Sequence, residues 1–237
     1  MDSLHPRTSR KAFGSIFTSI LFGMALWLVS CNQTQPTPSN TNSSHFYERI
    51  EVWDFREDDT VRFTILDTYP EAEAKRQTWF SAPLVWNDAD IAQATPIRGT
   101  QVEHRMTDST YGSQAYRAHS YLIASDQREF GYSATFTALP HLHVTSTLSR
   151  LISIGVYPSR DAAVQTRSVI VVILPDDVRD IAITDMEPYK TLTQNARILY
   201  YYDAQVTAHE SIHIAYTLTG VPTTDMDVDM VIKNSKP

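Results

Sequence analysis

The chain has 237 residues and carries 27 acidic against 20 basic side chains, which gives a formal net charge of −7. This acidic balance, without a basic stripe, argues against nucleic-acid binding, because that binding depends mainly on the neutralisation of phosphates. It also argues against electrostatic attachment to anionic lipid. The hydrophobic fraction of 42% is enough for an ordinary globular core.

Residues 1–30 have the features of a leader for export. Three basic side chains lie within the first eleven residues, and residues 12–30 form an uncharged, mostly apolar run. A small residue, Ser30, comes directly before Cys31, the single cysteine of the chain. This order of basic, apolar and small residues is typical of a signal peptide. The apolar length alone also permits a membrane span, but the polar stretch that follows at once favours cleavage.

The segment Leu28-Val29-Ser30-Cys31 resembles the lipobox of bacterial lipoproteins. The resemblance implies a diacylglyceryl group on the Cys31 sulfur, cleavage before Cys31 and acylation of the new amino terminus, so that palmitate would label the protein. It therefore implies a membrane-anchored protein on the non-cytoplasmic side of the cell envelope. Asn32, where Asp would favour the inner membrane, implies the outer membrane if the cell has one. Two or more acyl chains hold a protein stably, whereas one is marginal.

Residues 31–45 predict a disordered tether. The stretch from position 32 to position 44 contains no apolar residue that could join a core. A flexible chain of this length spans roughly 20 Å, which would keep the folded part close to the bilayer. Because lipid attachment would consume the only thiol, the folded part is expected to be stable without disulfides.

A first domain is predicted over residues 46–139. Residues 61–67 alternate apolar and polar side chains, the period-two pattern of a half-buried strand. Further strand-like runs in this part lie at 46–55, 78–86, 101–106, 115–123 and 130–137. Several aromatic residues are candidates for a sugar-binding platform, but the alternation turns most of them inward and assigns them to the core: Trp53, Phe55, Phe63, Trp79, Phe80 and Trp86.

Pro140 marks the predicted boundary to a second domain, residues 140–220. The unbroken β-branched run at 168–174 predicts a strand that is buried on both faces. Other strand-like runs lie at 143–157, 181–184, 198–202 and 212–218. Residues 221–237 predict a polar, frayed tail. Short strands with regular turn signals predict an all-β fold, with two immunoglobulin-like β-sandwiches in tandem or, alternatively, one large sandwich.

The one enzyme-like motif is His209-Glu210-Ser211-Ile212-His213, which has the H-E-x-x-H form of zinc metallopeptidases. The resemblance implies His209 and His213 as zinc ligands one helical turn apart and Glu210 as the general base. The surrounding apolar residues instead recur with period two, which predicts a strand. In a strand the two histidines would lie about 13 Å apart, too far to share one zinc ion.

Two other polar groups have a simpler interpretation than a site. His141-Leu142-His143 places two imidazoles on one strand face, and without a third ligand it is interpreted as a pair of surface histidines. Residues 225–229 alternate aspartate with apolar residues, but they lack the glycine and distal glutamate of an EF-hand loop. They are interpreted as a solvated acidic tail.

The sequence therefore predicts a lipid-anchored β-sandwich protein of the cell envelope with a binding or structural role, without catalysis and without a cofactor. Its partners would be the membrane, through the lipid on Cys31, and a protein or glycan that the sequence does not identify. The alternative is a zinc metallopeptidase with the metal on His209 and His213 and with Glu210 as the base. The sequence leaves open whether residues 203–220 form a strand or a helix.

Overall fold

The computed structural model describes residues 48–72, 75–86, 94–111, 114–137, 139–157, 167–220 and 225–235. These residues form fifteen strands and one short helix, so the predicted all-β fold is confirmed. Within these ranges no helix has the length and apolar character that a membrane crossing needs. The predicted signal peptide, the predicted tether and Cys31 lie outside the described residues.

A mixed seven-stranded sheet, the central sheet, organises the fold. Its strands in spatial order are β13 (Lys190–Gln194), β14 (Arg197–Asp203), β11 (Arg167–Ile173), β1 (Glu48–Phe55), β2 (Val61–Thr68), β8 (Glu129–Phe136) and β5 (Thr95–Ile97). Neighbouring strands run antiparallel except β1 and β11, which are parallel, with Val52 opposite Val171.

This sheet joins strands from both sides of Pro140. The predicted division into one domain at 46–139 and another at 140–220 is therefore wrong, and the described residues from position 48 onward belong to one compact unit. The parallel pair β1–β11 joins strands that are distant in sequence. The local pattern of apolar and polar residues does not indicate such a pairing.

Two four-stranded sheets complete the β structure. The β10 sheet has the order β12 (Arg179–Asp185), β15 (Glu210–Thr217), β10 (Ser149–Val156) and β9 (Leu142–Val144). The β7 sheet is formed by β3 (Arg76–Ser81), β4 (Val85–Trp86), β6 (Thr100–Tyr111) and β7 (Gln114–Ser125), with β6 paired to β7 along its length.

The larger core is built from side chains of all three sheets and is rich in aromatic rings. Trp53 of the central sheet meets Phe63 edge to face, with 5.0 Å between ring centroids. Such pairs contribute about 0.5–1.5 kcal/mol beyond the area that they bury. Of the aromatic residues assigned to the core, four are buried in it: Trp53, Phe55, Phe63 and Phe80. Trp79 and Trp86 are half-buried instead, Trp79 beneath the Arg105 guanidinium and Trp86 stacked on Tyr116.

A second core lies on the other face of the central sheet. Val169 and Val171 of β11 belong to this core, whereas Ile170 and Val172 belong to the larger one. Alternate residues of one strand thus enter two different cores, because successive side chains point to opposite faces of a sheet. The prediction that 168–174 is buried on both faces is confirmed.

Helix α1 (Val228–Asn234) contributes to the second core. Val231 and Ile232 are buried there, and the Asp227 side chain caps the helix by accepting a hydrogen bond from the Asp229 amide. An aspartate N-cap satisfies one of the amides that the first turn leaves without a partner. The prediction of a polar, frayed tail over 221–237 is therefore wrong for the part that forms α1.

Candidate functional site

The H-E-x-x-H motif lies on an extended strand. β15 begins at Glu210, and its pairing with β10 places His213 opposite Ser153. Ile212 and Ile214 are buried in the larger core, so His213, between them, faces outward. The strand prediction for this segment is confirmed, and the helix that a zinc peptidase needs is not formed here.

The two histidines of the motif have separate surroundings. His209 packs against Tyr157, with 4.6 Å between ring centroids. His213 instead bonds to Ser153 and Asp185. In the part of the chain that the structure describes, no three His, Cys, Asp or Glu side chains are grouped to hold a metal ion. The zinc site that the motif implied is therefore not assembled by His209 and His213.

His213 connects a hydroxyl and a carboxylate into one hydrogen-bonded chain. Its Nε2 lies 2.9 Å from Ser153 Oγ, and its Nδ1 lies 2.5 Å from Asp185 Oδ2. An ionised carboxylate can only accept, so Nδ1 carries the proton and donates to Asp185. In the neutral form of the ring, Nε2 is then an acceptor and the Ser153 hydroxyl can donate to it. For that form the partners assign the tautomer of the imidazole.

The order of strands in the β10 sheet places these three groups side by side. β15 lies between β12 and β10, so His213 has Thr184 of β12 on one side and Ser153 on the other. Asp185, the next residue of β12, has a φ of 70°, a conformation that aspartate tolerates better than most residues. The side chains of His213 and Asp185 are 32% and 57% exposed, so the group meets solvent.

Tyr157 adds an aromatic hydroxyl to the same face. It follows β10 and is 71% exposed, and its ring turns back over Gly155. A Cβ at Gly155 would come within 3.0 to 3.3 Å of the ring and within 3.1 Å of the hydroxyl. Glycine is therefore the residue that leaves room for this ring. Alternate residues of a strand are about 6.8 Å apart, so the hydroxyl lies roughly one such spacing from Ser153.

His141 and His143 do not form the predicted surface pair. His143 is exposed, but His141 is half-buried and its ring contacts Trp53, with 5.0 Å between centroids. Burial, together with the nearby His143, lowers the pKa of His141 to about 4. The interpretation of both as surface residues is wrong for His141.

A second pair of histidines was missed by the sequence reasoning. His104 of β6 and His119 of β7 lie with Nε2 and Nδ1 2.9 Å apart. His119 is only 4% exposed, and its burial, followed by the charge of His104, lowers its pKa to about 4. The residues are fifteen apart, so the hairpin register is the signal that would have revealed them.

A buried ionic cluster lies around Asp54, close to the end of β1. Arg197, which is fully buried, donates to Asp54 Oδ1 at 2.5 Å. Arg56 and Arg62 donate to Oδ2 at 2.8 and 2.9 Å. Asp225 pairs with Arg56 at 2.8 Å, and this hydrogen bond lowers the pKa of Asp225. The start of the predicted acidic tail is thus bound to the folded unit, although the Asp225 side chain remains 81% exposed.

Comparison with known proteins adds no further assignment to these residues. No protein-family model matches the chain, and no curated protein matches it significantly.

Proposed function

We propose that this chain is a bacterial lipoprotein, tethered by a lipid on Cys31 to the non-cytoplasmic side of the cell envelope, with a binding or structural role. The observation that carries the proposal is the coincidence of three sequence signals: a basic start, an apolar run and a lone cysteine closing Leu28-Val29-Ser30-Cys31.

Support for a binding role comes from the outward face of the β10 sheet. Small residues occupy much of this face, among them Ser153, Gly155, Ser211 and Ala215. Tyr157 stands beside them as an exposed aromatic ring. Aromatic rings with a polar end are favoured where a surface must contact both apolar and polar groups. We assign this face as the contact surface for a protein or glycan partner.

The anchor is tested by metabolic labelling with a palmitate analogue and by partition into detergent. The wild-type protein is expected to be labelled, to be shortened at its amino terminus and to enter the detergent phase. Cys31→Ser should lose the label and the cleavage, whereas Ser39→Ala, a change in the same polar stretch, should behave as wild type. A Cys31→Ser protein that is as membrane-bound as wild type would show that residues 12–30 are a retained span.

A further inference from the structure

We infer that Ser153, His213 and Asp185 form a nucleophilic centre that transfers the acyl group of small carboxylic esters to water. This inference goes beyond the proposed function and does not depend on the lipid anchor. It departs from the expectation, drawn from sequence, that the protein has no catalytic role.

The hydrogen-bonded chain has the connectivity that an activated serine requires. A serine hydroxyl is a weak nucleophile until a base within about 2.6–3.2 Å removes its proton, and that base must be oriented by a third group. His213 Nε2 lies 2.9 Å from Ser153 Oγ. Asp185 accepts from His213 Nδ1 at 2.5 Å and fixes the ring in the tautomer that leaves Nε2 free of a proton.

The sheet holds the serine in place from both sides. β10 pairs with β15 along its whole length, with Ser153 opposite His213. On the other edge the Ser153 amide donates to the His141 carbonyl at 2.8 Å. Groups on paired strands keep their mutual geometry better than groups on loops. The pairing of the two strands therefore fixes the distance between Ser153 Oγ and His213 Nε2.

Tyr157 borders the serine on the open face of the sheet. Its ring covers Gly155, which lies two residues beyond Ser153 on the same face. A Cβ at Gly155 would lie 3.0 to 3.3 Å from this ring, so the ring would have to shift by a few tenths of an ångström. Gly155 therefore lets the exposed ring lie beside the nucleophile.

The reaction follows from these positions in two balanced steps. Ser153 Oγ bonds to the acyl carbon while its proton passes to His213 Nε2, and the ester alcohol leaves with that proton. Water then attacks the acyl-serine, gives its proton to Nε2 and releases the carboxylic acid, and the proton returns to Ser153 Oγ. The net change is one ester and one water converted to one acid and one alcohol, without an oxidant or a metal.

The open face limits the class of substrate. The side chains of His213 and Asp185 are 32% and 57% exposed, and Tyr157 is 71% exposed. A long acyl chain would remain in water on such a face and gain little from burial. The centre is therefore assigned to short-chain esters with a good leaving group.

The test uses the full chain, purified in detergent, with a fluorophosphonate probe and peptide mass spectrometry. Wild-type protein is expected to carry the probe on Ser153, and Ser153→Ala should carry none at the peptide that contains position 153. His213→Asn should slow labelling about 100-fold, since a positioned base contributes 10²–10⁴-fold. Ser81→Ala, at an exposed serine of β3 outside the β10 sheet, is the matched control and should label as wild type.

A second measurement separates this centre from simple catalysis by an exposed imidazole. With p-nitrophenyl acetate, wild-type protein quenched in acid should carry one acetyl group on Ser153, and His213→Asn should accumulate it more slowly. Circular dichroism should show that all the variants keep the wild-type strand content. If wild-type Ser153 reacts with the probe no faster than Ser81, or if His213→Asn labels at the wild-type rate, the inference is overturned.

Discussion

Asp54 and Asp185 are bound in similar ways but lie in opposite surroundings. Each accepts a hydrogen bond at 2.5 Å, from Arg197 and from His213 respectively. The side chain of Asp54 is 2% exposed and that of Arg197 is fully buried, whereas Asp185 is 57% exposed. The buried pair is therefore expected to stabilise the fold. The exposed Asp185 can lose its hydrogen bond without leaving a buried charge unpaired.

The physical reason for this difference is the cost of an uncompensated charge. Removing one partner of a buried ion pair leaves the other charge without compensation and costs about 3–5 kcal/mol. An exposed pair is worth about 0–1 kcal/mol, because water replaces the lost partner. The two aspartates should therefore differ several-fold in their effect on the free energy of unfolding.

The largest effect is expected for Asp54→Asn. This change removes the negative charge around which Arg56, Arg62 and Arg197 are arranged. The free energy of unfolding should fall by about 3–5 kcal/mol, measured by urea denaturation at neutral pH. Asp126→Asn, a change at an exposed aspartate, should stay within about 0.5 kcal/mol of wild type. A loss below about 1 kcal/mol for Asp54→Asn would contradict the assignment of this cluster to the stability of the fold.

An intermediate effect is expected from acid, through the buried imidazoles. The pKa values of His119 and His141 are lowered to about 4, against about 6.5 in an unfolded chain. Between pH 6.5 and pH 4 the unfolded state binds more protons, so stability is complete above this window and falls as the pH falls through it. By pH 5, which lies 1.5 units below 6.5, each imidazole should cost about 2 kcal/mol, because one pH unit corresponds to about 1.4 kcal/mol.

Urea denaturation at pH 7 and pH 5 measures this loss. His119→Gln should reduce the difference between the two pH values, because the variant removes one of the groups that are held neutral. His209→Gln is the control at an exposed histidine and should leave the difference unchanged. Equal losses in wild type and His119→Gln would show that other groups cause the acid sensitivity.

The smallest effect on stability is expected for Asp185→Asn. The free energy of unfolding should change by less than about 0.5 kcal/mol, because the side chain is exposed and its pair with His213 is solvated. The same variant should slow the reaction of Ser153 with the fluorophosphonate about tenfold, since the imidazole loses the carboxylate that orients it. Asp185→Asn would then lower the reactivity of Ser153 without lowering the free energy of unfolding. A large loss of stability would show instead that Asp185 stabilises the fold as Asp54 does.

The local pattern of apolar and polar residues predicted the strands well, because a strand with a buried face has apolar residues at fixed spacing. The alternation at 61–67 corresponds to β2, and the unbroken apolar run at 168–174 corresponds to a strand between two cores. The division into two domains failed for a different reason. Glu48 and Arg167 are 119 residues apart and form an ion pair at 2.7 Å, and no short window of sequence contains that relation.

The C-terminal helix could have been recognised from its own residues. Val228, Val231 and Ile232 have helical spacing, and Asp227 stands at the N-cap position. The regular aspartates around them suggested a solvated tail instead. Burial of two apolar side chains against the central sheet decided the outcome.

The candidate site was only partly accessible from sequence. His213 was identified, but as a zinc ligand, because the H-E-x-x-H spacing has meaning only on a helix. Ser153 and Asp185 are 60 and 28 residues away from it, and only the register of three strands brings them within hydrogen-bond distance. A serine between two buried isoleucines does not by itself indicate a reactive site. Only the strand register shows which side chains lie next to it.

The parallel pairing of β1 with β11 has a consequence for the time at which the chain can fold. β1 can pair with β2 as soon as both are made. Its other edge pairs with β11, which begins at Arg167, and β11 pairs in turn with β14, which ends at Asp203. Contacts between distant segments form slowly, because the entropy of closing the loop is lost before the contact is gained. A growing chain therefore lacks the part of its native core that β11 and β14 supply until most of it has been synthesised. For an exported chain, as proposed here, this delay would keep the polypeptide unfolded while it passes the membrane.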